Sequence, residues 1–336
     1  MKKFTSRNPK ALFITLIFWI SSQFILAQPY FQKVFYDSPF DQEGQDVLPT
    51  SDGGYLIAGY TSNSTFNDQD IEVVKADAGG ALVWKKTYGG AKPDFPFHML
   101  QAADGNYFII GFSQSYGGGD YDVLLLKIDP DGNTLWLKTY GGWGNDQGMD
   151  IIATSDGNYM IVGNSSSSSM TDHDMFLIKI DPAGTVIWNK WLGGTNNDFG
   201  NSIQQCADGG YIVLGNTFSF GTSGDAYLVK TDASGNIAWS KTFGGSLYDE
   251  GVYITLNTDG SYTFVVRDSS TAGHDIDVRI IKTDMSGNVI WNKAYGGTKK
   301  DTPKMIQRTM DGGYVVAAIT RSFGLVTPDM WIMKMD

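Results

Sequence analysis

The chain contains 336 residues, with 36 acidic and 25 basic side chains and a formal net charge of −11. Hydrophobic residues make up 42% of it and aromatic residues 13%, which is typical of a globular protein and not of a disordered one. The acidic balance argues against a nucleic-acid partner, because no basic patch is available to neutralise phosphates. The single cysteine, Cys206, excludes an intramolecular disulfide and a cysteine-based zinc site.

Residues 1–27 have the pattern of an export signal. Four basic residues precede an apolar run over 11–26, which ends at Ala27. This pattern predicts a signal peptide that is cleaved after Ala27, and therefore a secreted, periplasmic or cell-surface protein. The alternative is an uncleaved anchor, since the run has about the minimum length that spans a bilayer. After cleavage we expect no membrane span, because the sequence has no second apolar run of this length.

A repeat of 51 or 52 residues covers the rest of the chain. Its first element is Asp-Gly-x-Tyr, which begins at Asp52, Asp104, Asp156, Asp208, Asp259 and Asp311. A Lys-x-Asp element follows in each unit, and a tryptophan follows in five of them, at Trp84, Trp136, Trp188, Trp239 and Trp291. Internal repetition of this length is typical of solenoids and propellers.

Each unit is predicted to contain four short strands, which in the third unit cover 149–155, 159–164, 174–181 and 185–192. Val, Ile, Leu, Tyr and Trp fill these runs, and Gly, Asn, Asp and Ser separate them. No stretch shows useful helical periodicity. Four strands in about 50 residues indicate one blade of a β-propeller.

The two ends of the chain predict how the ring closes. Residues 30–36 match a fourth strand, and residues 329–336 match a third strand with no fourth strand after it. The sequence therefore predicts an all-β fold, a six-bladed β-propeller of four-stranded blades whose ring is closed by the N-terminal strand. Residues 28–336 form its single domain, and closure removes the open sheet edges that favour aggregation.

The combined pattern of Asp-Gly-Asn-Tyr, Lys-x-Asp, Gly-Asn-x-x-Trp and Gly-Gly resembles the bacterial secreted β-propeller repeats of the SBBP type. This resemblance covers residues 28–336 and implies the fold but little about function. The spacing of Asp, Gly and Trp is also similar to the tryptophan-docking repeat of quinoprotein propellers. Those proteins have eight blades and a vicinal disulfide over the cofactor, whereas this chain has six units and one cysteine. Their cofactor is therefore not predicted here.

The aromatic residues divide into repeated and unrepeated ones. The five repeated tryptophans are predicted to dock against the neighbouring blade and to serve the fold. Trp143 breaks the repeat in a loop and is a candidate ligand contact, as are the loop residues Phe95 and Tyr248. Trp191 also breaks the repeat, so it too is a candidate ligand contact, although packing within its strand is the favoured interpretation.

One aspartate follows each Gly-Gly pair, as at Asp94, Asp146 and Asp198. If these side chains face the channel, they form a ring that attracts cations, and they are the candidate metal ligands. The alternative, which six-fold repetition favours, is that each carboxylate accepts backbone N–H groups in its own turn. No cofactor is predicted, and a divalent cation such as Ca²⁺ is left open.

The innermost strands differ at one position, six residues before each Asp-Gly. There the first three blades carry Asp46, His98 and Asp150. A histidine between two carboxylates can act as a general base or bind a metal, so these are the candidate catalytic residues. The alternative is a histidine that is satisfied by its neighbours.

No catalytic motif stands out from the repeats, and loops on a rigid scaffold commonly carry binding. The sequence therefore favours a secreted or cell-surface binding or scaffolding module without catalysis, with a protein or carbohydrate ligand. The alternative is a hydrolase or lyase acting on polysaccharide, with its site at the channel mouth.

Overall fold

The structure is a computed structural model, and it describes residues 33–35, 42–62, 69–169, 172–269, 276–324 and 328–336. These residues form 23 β-strands in six antiparallel sheets, which are the six blades of a β-propeller. The sequence prediction of an all-β, six-bladed propeller is confirmed. No helix in these ranges is long and apolar enough to cross a bilayer.

The strands follow one another within each blade. Blade 1 contains β1 (Gln42–Pro49), β2 (Tyr55–Ser62), β3 (Gln69–Ala76) and β4 (Leu82–Tyr88). Blade 2 contains β5 (Asp94–Gln101), β6 (Tyr107–Ser113), β7 (Asp122–Ile128) and β8 (Thr134–Tyr140). Blade 3 contains β9 (Asp146–Ala153), β10 (Tyr159–Ser169), β11 (Asp172–Ile180) and β12 (Val186–Leu192). Blade 4 contains β13 (Asp198–Gln205), β14 (Tyr211–Thr217), β15 (Asp225–Thr231) and β16 (Ile237–Phe243). Blade 5 contains β17 (Asp249–Leu256), β18 (Tyr262–Asp268), β19 (Asp277–Thr283) and β20 (Val289–Tyr295). Blade 6 contains β21 (Asp301–Arg308), β22 (Tyr314–Thr320) and β23 (Asp329–Met335).

The repeated Asp-Gly elements are the turns that join the first two strands of a blade. In blade 2, Gly105 has φ of 83°, a left-handed conformation that glycine adopts without steric cost. The carboxylate of Asp104 in the same turn lies 2.7 Å from Nζ of Lys127 on β7. Lys75 with Asp52, and Lys230 with Asp208, repeat this ion pair in blades 1 and 4. The repeated lysine therefore ties the third strand to the first turn of its own blade.

The repeated tryptophans dock on the next blade, as the sequence predicts. Nε1 of Trp84 donates a hydrogen bond to the carbonyl oxygen of Pro130 in the β7–β8 turn, at 3.0 Å. Tyr88, four residues further along the same strand, donates to the carbonyl oxygen of Gly132 at 2.7 Å. A Cβ on Gly132 would approach the Trp84 ring to 2.9 Å, so only glycine allows this close contact.

The hydrophobic core lies between blades. Five apolar clusters each join two neighbouring blades, from the junction of blades 1 and 2 to that of blades 5 and 6. On the inner strands, Ile203 of blade 4 and Ile254 of blade 5 have no exposed surface. Each blade therefore gains most of its stabilising burial from its neighbours and little from within itself.

Blade 6 has three strands among the described residues, whereas each other blade has four. The predicted fourth strand over 30–36 falls largely outside the described residues. Lys33, Val34 and Phe35 are described and do not belong to a strand. Closure of the ring by the N-terminal strand therefore stays a prediction.

Candidate functional site

A β-bulge positions one side chain at the centre of every inner strand. The pairing with the second strand shifts register once in each blade, as between Pro96 and His98 or between Gly200 and Ser202. The residue before the bulge is always glycine or proline. A Cβ on Gly200 would approach Val162 of the preceding blade to 2.6 Å, so the tight packing of the blades favours glycine in blade 4. The bulge directs the residue after it, such as His98 or Ser202, toward the equivalent residues of the neighbouring inner strands.

The structure brings together the three candidate catalytic residues. Nδ1 of His98 lies 3.2 Å from Oδ2 of Asp46, and Nε2 lies 3.5 Å from Oδ1 of Asp150. Both carboxylates are nearly buried, with 10% and 3% of their side-chain surface exposed, and the His98 side chain is 21% exposed. The imidazole therefore bridges blades 1, 2 and 3 and has a carboxylate at each nitrogen.

Backbone and hydroxyl donors hold both carboxylates in place. Oδ2 of Asp46 accepts a hydrogen bond from the backbone N–H of Met99 in blade 2, at 2.7 Å. Oδ2 of Asp150 accepts hydrogen bonds from the Ser202 hydroxyl at 3.1 Å and the Ile203 N–H at 3.0 Å, both in blade 4. Each aspartate therefore connects its inner strand to that of the following blade.

Burial and charge compete in setting the proton affinities of this group. Burial by itself lowers the pKa of His98, but the carboxylates of Asp150 and Asp46 outweigh it and raise this pKa to about 9. Burial would raise the pKa of Asp46, but the hydrogen bond and the charge of His98 hold it below its usual value. Burial raises the pKa of Asp150, which is enclosed on all sides. At neutral pH the histidine is thus a cation between two acidic groups.

The other half of the ring is less polar at the equivalent position. It carries Ser202, Tyr253 and Met305, which follow the bulges of blades 4, 5 and 6. Burial, and then the charges of Asp150 and Asp46, raise the pKa of Tyr253. The phenol is therefore neutral at physiological pH and lies within the electric field of the His98 group.

The three predicted ligand contacts lie in separate places. Trp143 is 88% exposed in the loop between blades 2 and 3. Phe95 belongs to an aromatic cluster, with its ring centroid 4.8 Å from that of Tyr60 and 5.6 Å from that of Phe112. Tyr248 stacks on Phe218 with a centroid distance of 5.7 Å. Of the three, Trp143 alone has most of its surface exposed to solvent. The ligand-binding role of all three stays a prediction.

The three candidate metal ligands are buried in turns. The carboxylates of Asp94, Asp146 and Asp198 are at most 1% exposed. Each accepts a hydrogen bond from a glycine N–H four residues earlier, at 2.7–2.8 Å. They lie in three different blades, and within the described ranges no three His, Cys, Asp or Glu side chains come together as a metal site. This geometry agrees with the turn interpretation that the sequence analysis favoured.

A cleft between blades 2 and 3 was not predicted as a site. It has a volume of about 520 Å³, and its walls include Tyr140, Asp146, Asn189 and Trp191. The indole of Trp191 contacts Phe176 edge-on at a centroid distance of 6.2 Å, as a packing residue would, yet 46% of Trp191 remains exposed. Both interpretations of Trp191, packing and an accessible face, are therefore consistent with its position. The sequence identified it as a break in the repeat, because the other units have threonine or alanine there, but did not identify the cleft beside it.

Comparison with known proteins supports the fold. No protein-family model matches the sequence. The propeller domain of the Trilobed protease from Pyrococcus furiosus, described as having an open velcro topology, matches with a TM-score of 0.50 and 10% identity, over 89% of this chain and 82% of that one. An α-L-arabinanase from Penicillium chrysogenum, solved with arabinobiose, matches with a TM-score of 0.52 and 14% identity, over 86% and 92% of the chains. At these identities the likeness shows the propeller fold and not an activity.

One curated protein matches by sequence, the Regulatory protein FlaEY of Caulobacter vibrioides. The two sequences are 28% identical over 195 residues, which are 48% of this chain. The match spans only 20% of the Caulobacter protein. The resemblance to SBBP-type repeats therefore remains a sequence-based prediction, whereas the propeller architecture is established.

Proposed function

We propose that this protein is a secreted or cell-surface binding module without catalytic activity, with a protein or glycan as its ligand. The observation that carries the proposal is the state of His98. Its two nitrogens face Asp46 and Asp150, and its pKa of about 9 keeps it protonated at neutral pH. A protonated imidazole cannot accept a proton from water or from a sugar, so it is a poor general base.

The surroundings of His98 are suited to a structural role. Oδ2 of Asp46, which faces His98, also accepts from Met99 of blade 2, and the second oxygen of Asp150 accepts from Ile203 of blade 4. The group therefore connects four consecutive blades through ion pairs of His98 and charge-assisted hydrogen bonds of the two carboxylates. Rigid connection of the inner strands is what a scaffold for binding loops requires.

Exposed aromatic surface supports the binding role. Trp143 and Trp191 are 88% and 46% exposed, and neither belongs to the set of docking tryptophans. Exposed tryptophan is characteristic of recognition surfaces because its large, rigid ring gives contact area at little cost in conformational entropy. The export signal predicted for residues 1–27 is consistent with a ligand outside the cell.

The alternative is a polysaccharide hydrolase or lyase with His98, Asp46 and Asp150 at the channel mouth. In that case the protonated His98 would serve as a general acid. A pKa of about 9 makes it a weak acid at neutral pH, and 21% exposure limits its access to a polymer. The alternative therefore has a group of suitable composition, but the protonation and partial burial of His98 weigh against it.

The test combines binding with turnover on the same preparation. Purified protein is screened for a rise in melting temperature with polysaccharides and with secreted proteins of the source culture, since a ligand of the native state alone must raise it. Each polysaccharide is also incubated with the protein, and the products are separated by chromatography. Binding without new products supports the module. Cleavage that is lost in His98→Ala, while its melting temperature stays above the assay temperature, overturns the proposal in favour of the enzyme.

A further inference from the structure

Aromatic side chains fill the outer groove at three blade junctions. Tyr116 follows β6 and donates its hydroxyl hydrogen to a backbone carbonyl of blade 1 at 2.6 Å. Phe220 follows β14 and packs on Tyr227, with a centroid distance of 5.4 Å. Phe323 follows β22 and packs on Trp331 at 5.1 Å. Each ring also lies against the loop that follows the preceding blade, since a Cβ on Gly90, Gly194 or Gly297 would approach it to 3.1–3.6 Å.

Blade 3 has a small residue at the same place in the repeat. The sequence has Ser168 where blades 2, 4 and 6 have Tyr116, Phe220 and Phe323. The cleft between blades 2 and 3 has a volume of about 520 Å³, against about 360 Å³ for the groove beside Tyr116. A volume of this size is within the range of about 300–1,000 Å³ that is typical of small-molecule sites.

The aromatic wall of the cleft is specific to this junction. Trp191 lies on β12, where the fourth strands of the other blades carry a small residue: Thr87, Thr139, Thr242 or Ala294. Its edge-on contact with Phe176 fixes the indole while nearly half of its surface stays exposed. Across the cleft, Tyr140 donates its hydroxyl hydrogen to the carbonyl oxygen of Gly184 at 2.8 Å, which fixes its ring in the opposite wall. Two oriented aromatic rings therefore flank the opening.

The polar groups of the cleft are neutral or negative. Thr139, Ser167 and Asn189 contribute hydroxyl and amide groups to its lining. Asp146 lies at its floor, 1% exposed, with Oδ2 accepting a hydrogen bond from the Ser167 hydroxyl at 2.7 Å. Its other oxygen, Oδ1, is buried and has no hydrogen-bond partner in the described part of the chain. Among the described residues no basic side chain lines the cleft, so an anionic ligand would meet the negative charge of Asp146 there.

We propose that the cleft between blades 2 and 3 binds a neutral saccharide, with a sugar ring stacked on Trp191 and its hydroxyl groups bonded to Thr139, Ser167 and Asn189. A sugar ring offers an apolar C–H face to the indole and donors and acceptors at its edge, which matches this lining. The inference rests on the proposed binding function, since it names one ligand class and one place for it. Asp146 restricts that class to uncharged sugars.

The experiment uses the full chain and four neutral tetrasaccharides, cellotetraose, laminaritetraose, xylotetraose and maltotetraose. Tetragalacturonate is the anionic counterpart, and Ca²⁺ alone tests whether Asp146 binds a metal instead. Two variants alter the cleft in opposite ways. Trp191→Thr gives β12 the residue of three other blades, and Ser168→Tyr introduces the residue that covers the groove in blade 2. Trp143→Ala removes an exposed tryptophan outside the cleft and is the matched control.

Calorimetry and tryptophan fluorescence measure the dissociation constants. We expect at least one neutral tetrasaccharide to bind. Its dissociation constant should rise about tenfold or more in Trp191→Thr and Ser168→Tyr and stay unchanged in Trp143→Ala. Far-UV circular dichroism and the melting temperature verify that both variants fold. Dissociation constants in both cleft variants that equal those of the unmodified protein would overturn the proposal. A response to tetragalacturonate or Ca²⁺ but to no neutral tetrasaccharide, or no response to any probe, would also overturn it.

Failure of the cleft and failure of the binding function give different results. A ligand found in the wider screen that binds all three variants equally leaves the binding module intact and removes the cleft as its site. Cleavage of an oligosaccharide that depends on His98 removes the binding module itself.

Discussion

The inner strands of blades 4 and 1 place the same kind of side chain in opposite environments. Ile203 of β13 has no exposed surface, whereas Val47, at the equivalent position of β1, is 59% exposed. The corresponding residues of blades 2, 3, 5 and 6 are all at most 1% exposed: Met99, Ile151, Ile254 and Ile306. Each of them packs on the preceding blade, and for blade 1 that neighbour is blade 6. Burial in this repeat thus depends on the neighbouring blade and not on the local sequence.

The outer edge of blade 6 shows the same contrast. Met330 and Ile332 of β23 are 92% and 72% exposed. In the other blades a fourth strand covers the third, with Lys127 opposite Trp136 in blade 2. The predicted fourth strand over 30–36 repeats the order aromatic, Lys, aromatic of these strands, which would place Phe31 opposite Lys334. The junction of blades 6 and 1 is therefore the part of the ring that such a strand would complete.

The largest expected effect on stability is the difference between truncating the buried Ile203 and truncating the exposed Val47. Ile203→Ala should lower the free energy of unfolding by about 2–5 kcal/mol, because it leaves a cavity between two blades. Val47→Ala should change it by less than about 1 kcal/mol, because the side chain is already mostly hydrated. Urea denaturation of the two variants measures the difference. Equal losses would mean that the junction of blades 6 and 1 is as well packed in solution as the others.

The second-largest loss of stability should follow removal of the Asp150 carboxylate at the centre of blade 3. Asp150→Ala removes a buried partner of His98 and leaves the N–H of Ile203 without an acceptor, so we expect a loss of about 2–4 kcal/mol. Asp120→Ala removes the same charge from an exposed position and should cost less than about 0.5 kcal/mol. Denaturation at low and high salt distinguishes a local contact from a general charge effect. A loss that disappears in 1 M salt would contradict the assignment of a specific buried contact.

Alkaline pH should weaken the His98 group. The pKa of His98 is about 9 in the folded protein and near 6.5 in the unfolded chain, so its contribution is complete below pH 6.5 and is lost as the pH rises through 9. We expect a loss of about 1–3 kcal/mol between pH 6 and 9.5 relative to His98→Gln. Asp46 and Asp150 face His98 and are both kept in His98→Gln, so the two proteins differ only in the imidazole. Denaturation of both proteins across this range measures the slope, and parallel curves would show that folding does not raise the pKa of His98.

The smallest effect concerns the contact of a fourth strand with the next blade. Tyr88→Phe removes the hydrogen bond to Gly132 and keeps the ring, so we expect a loss of about 0.5–1.5 kcal/mol. Phe243 of blade 4 stands at the equivalent position and shows that the fold accepts a ring without a hydroxyl. The melting temperature should fall by only a few degrees. A loss as large as that of Ile203→Ala would mean that the turn contact, and not the apolar core, determines how blades associate.

The fold and the centre of the ring follow from the sequence, but the cleft does not. Repeated residues identify strands and turns, and a constant period places Asp46, His98 and Asp150 on adjacent inner strands. Their distances depend on the bulges, which the repeat does not reveal. The cleft depends on which side chains of blades 2 and 3 meet at their junction, such as Tyr140 and Trp191. Each is unremarkable in the sequence alone, and both line one cleft only in the folded ring.

The bulge that precedes the central residue has a consequence for variation among such proteins. It has the same form in front of Asp46, His98, Ser202 and Met305, so the backbone accepts anionic, cationic, polar and apolar side chains alike. The centre of the ring thus offers six equivalent side-chain positions on a backbone that keeps the same conformation. Exchange of these residues among blades would alter the electric field along the axis without requiring a new fold, which makes this ring a suitable starting point for designed pores and binding sites.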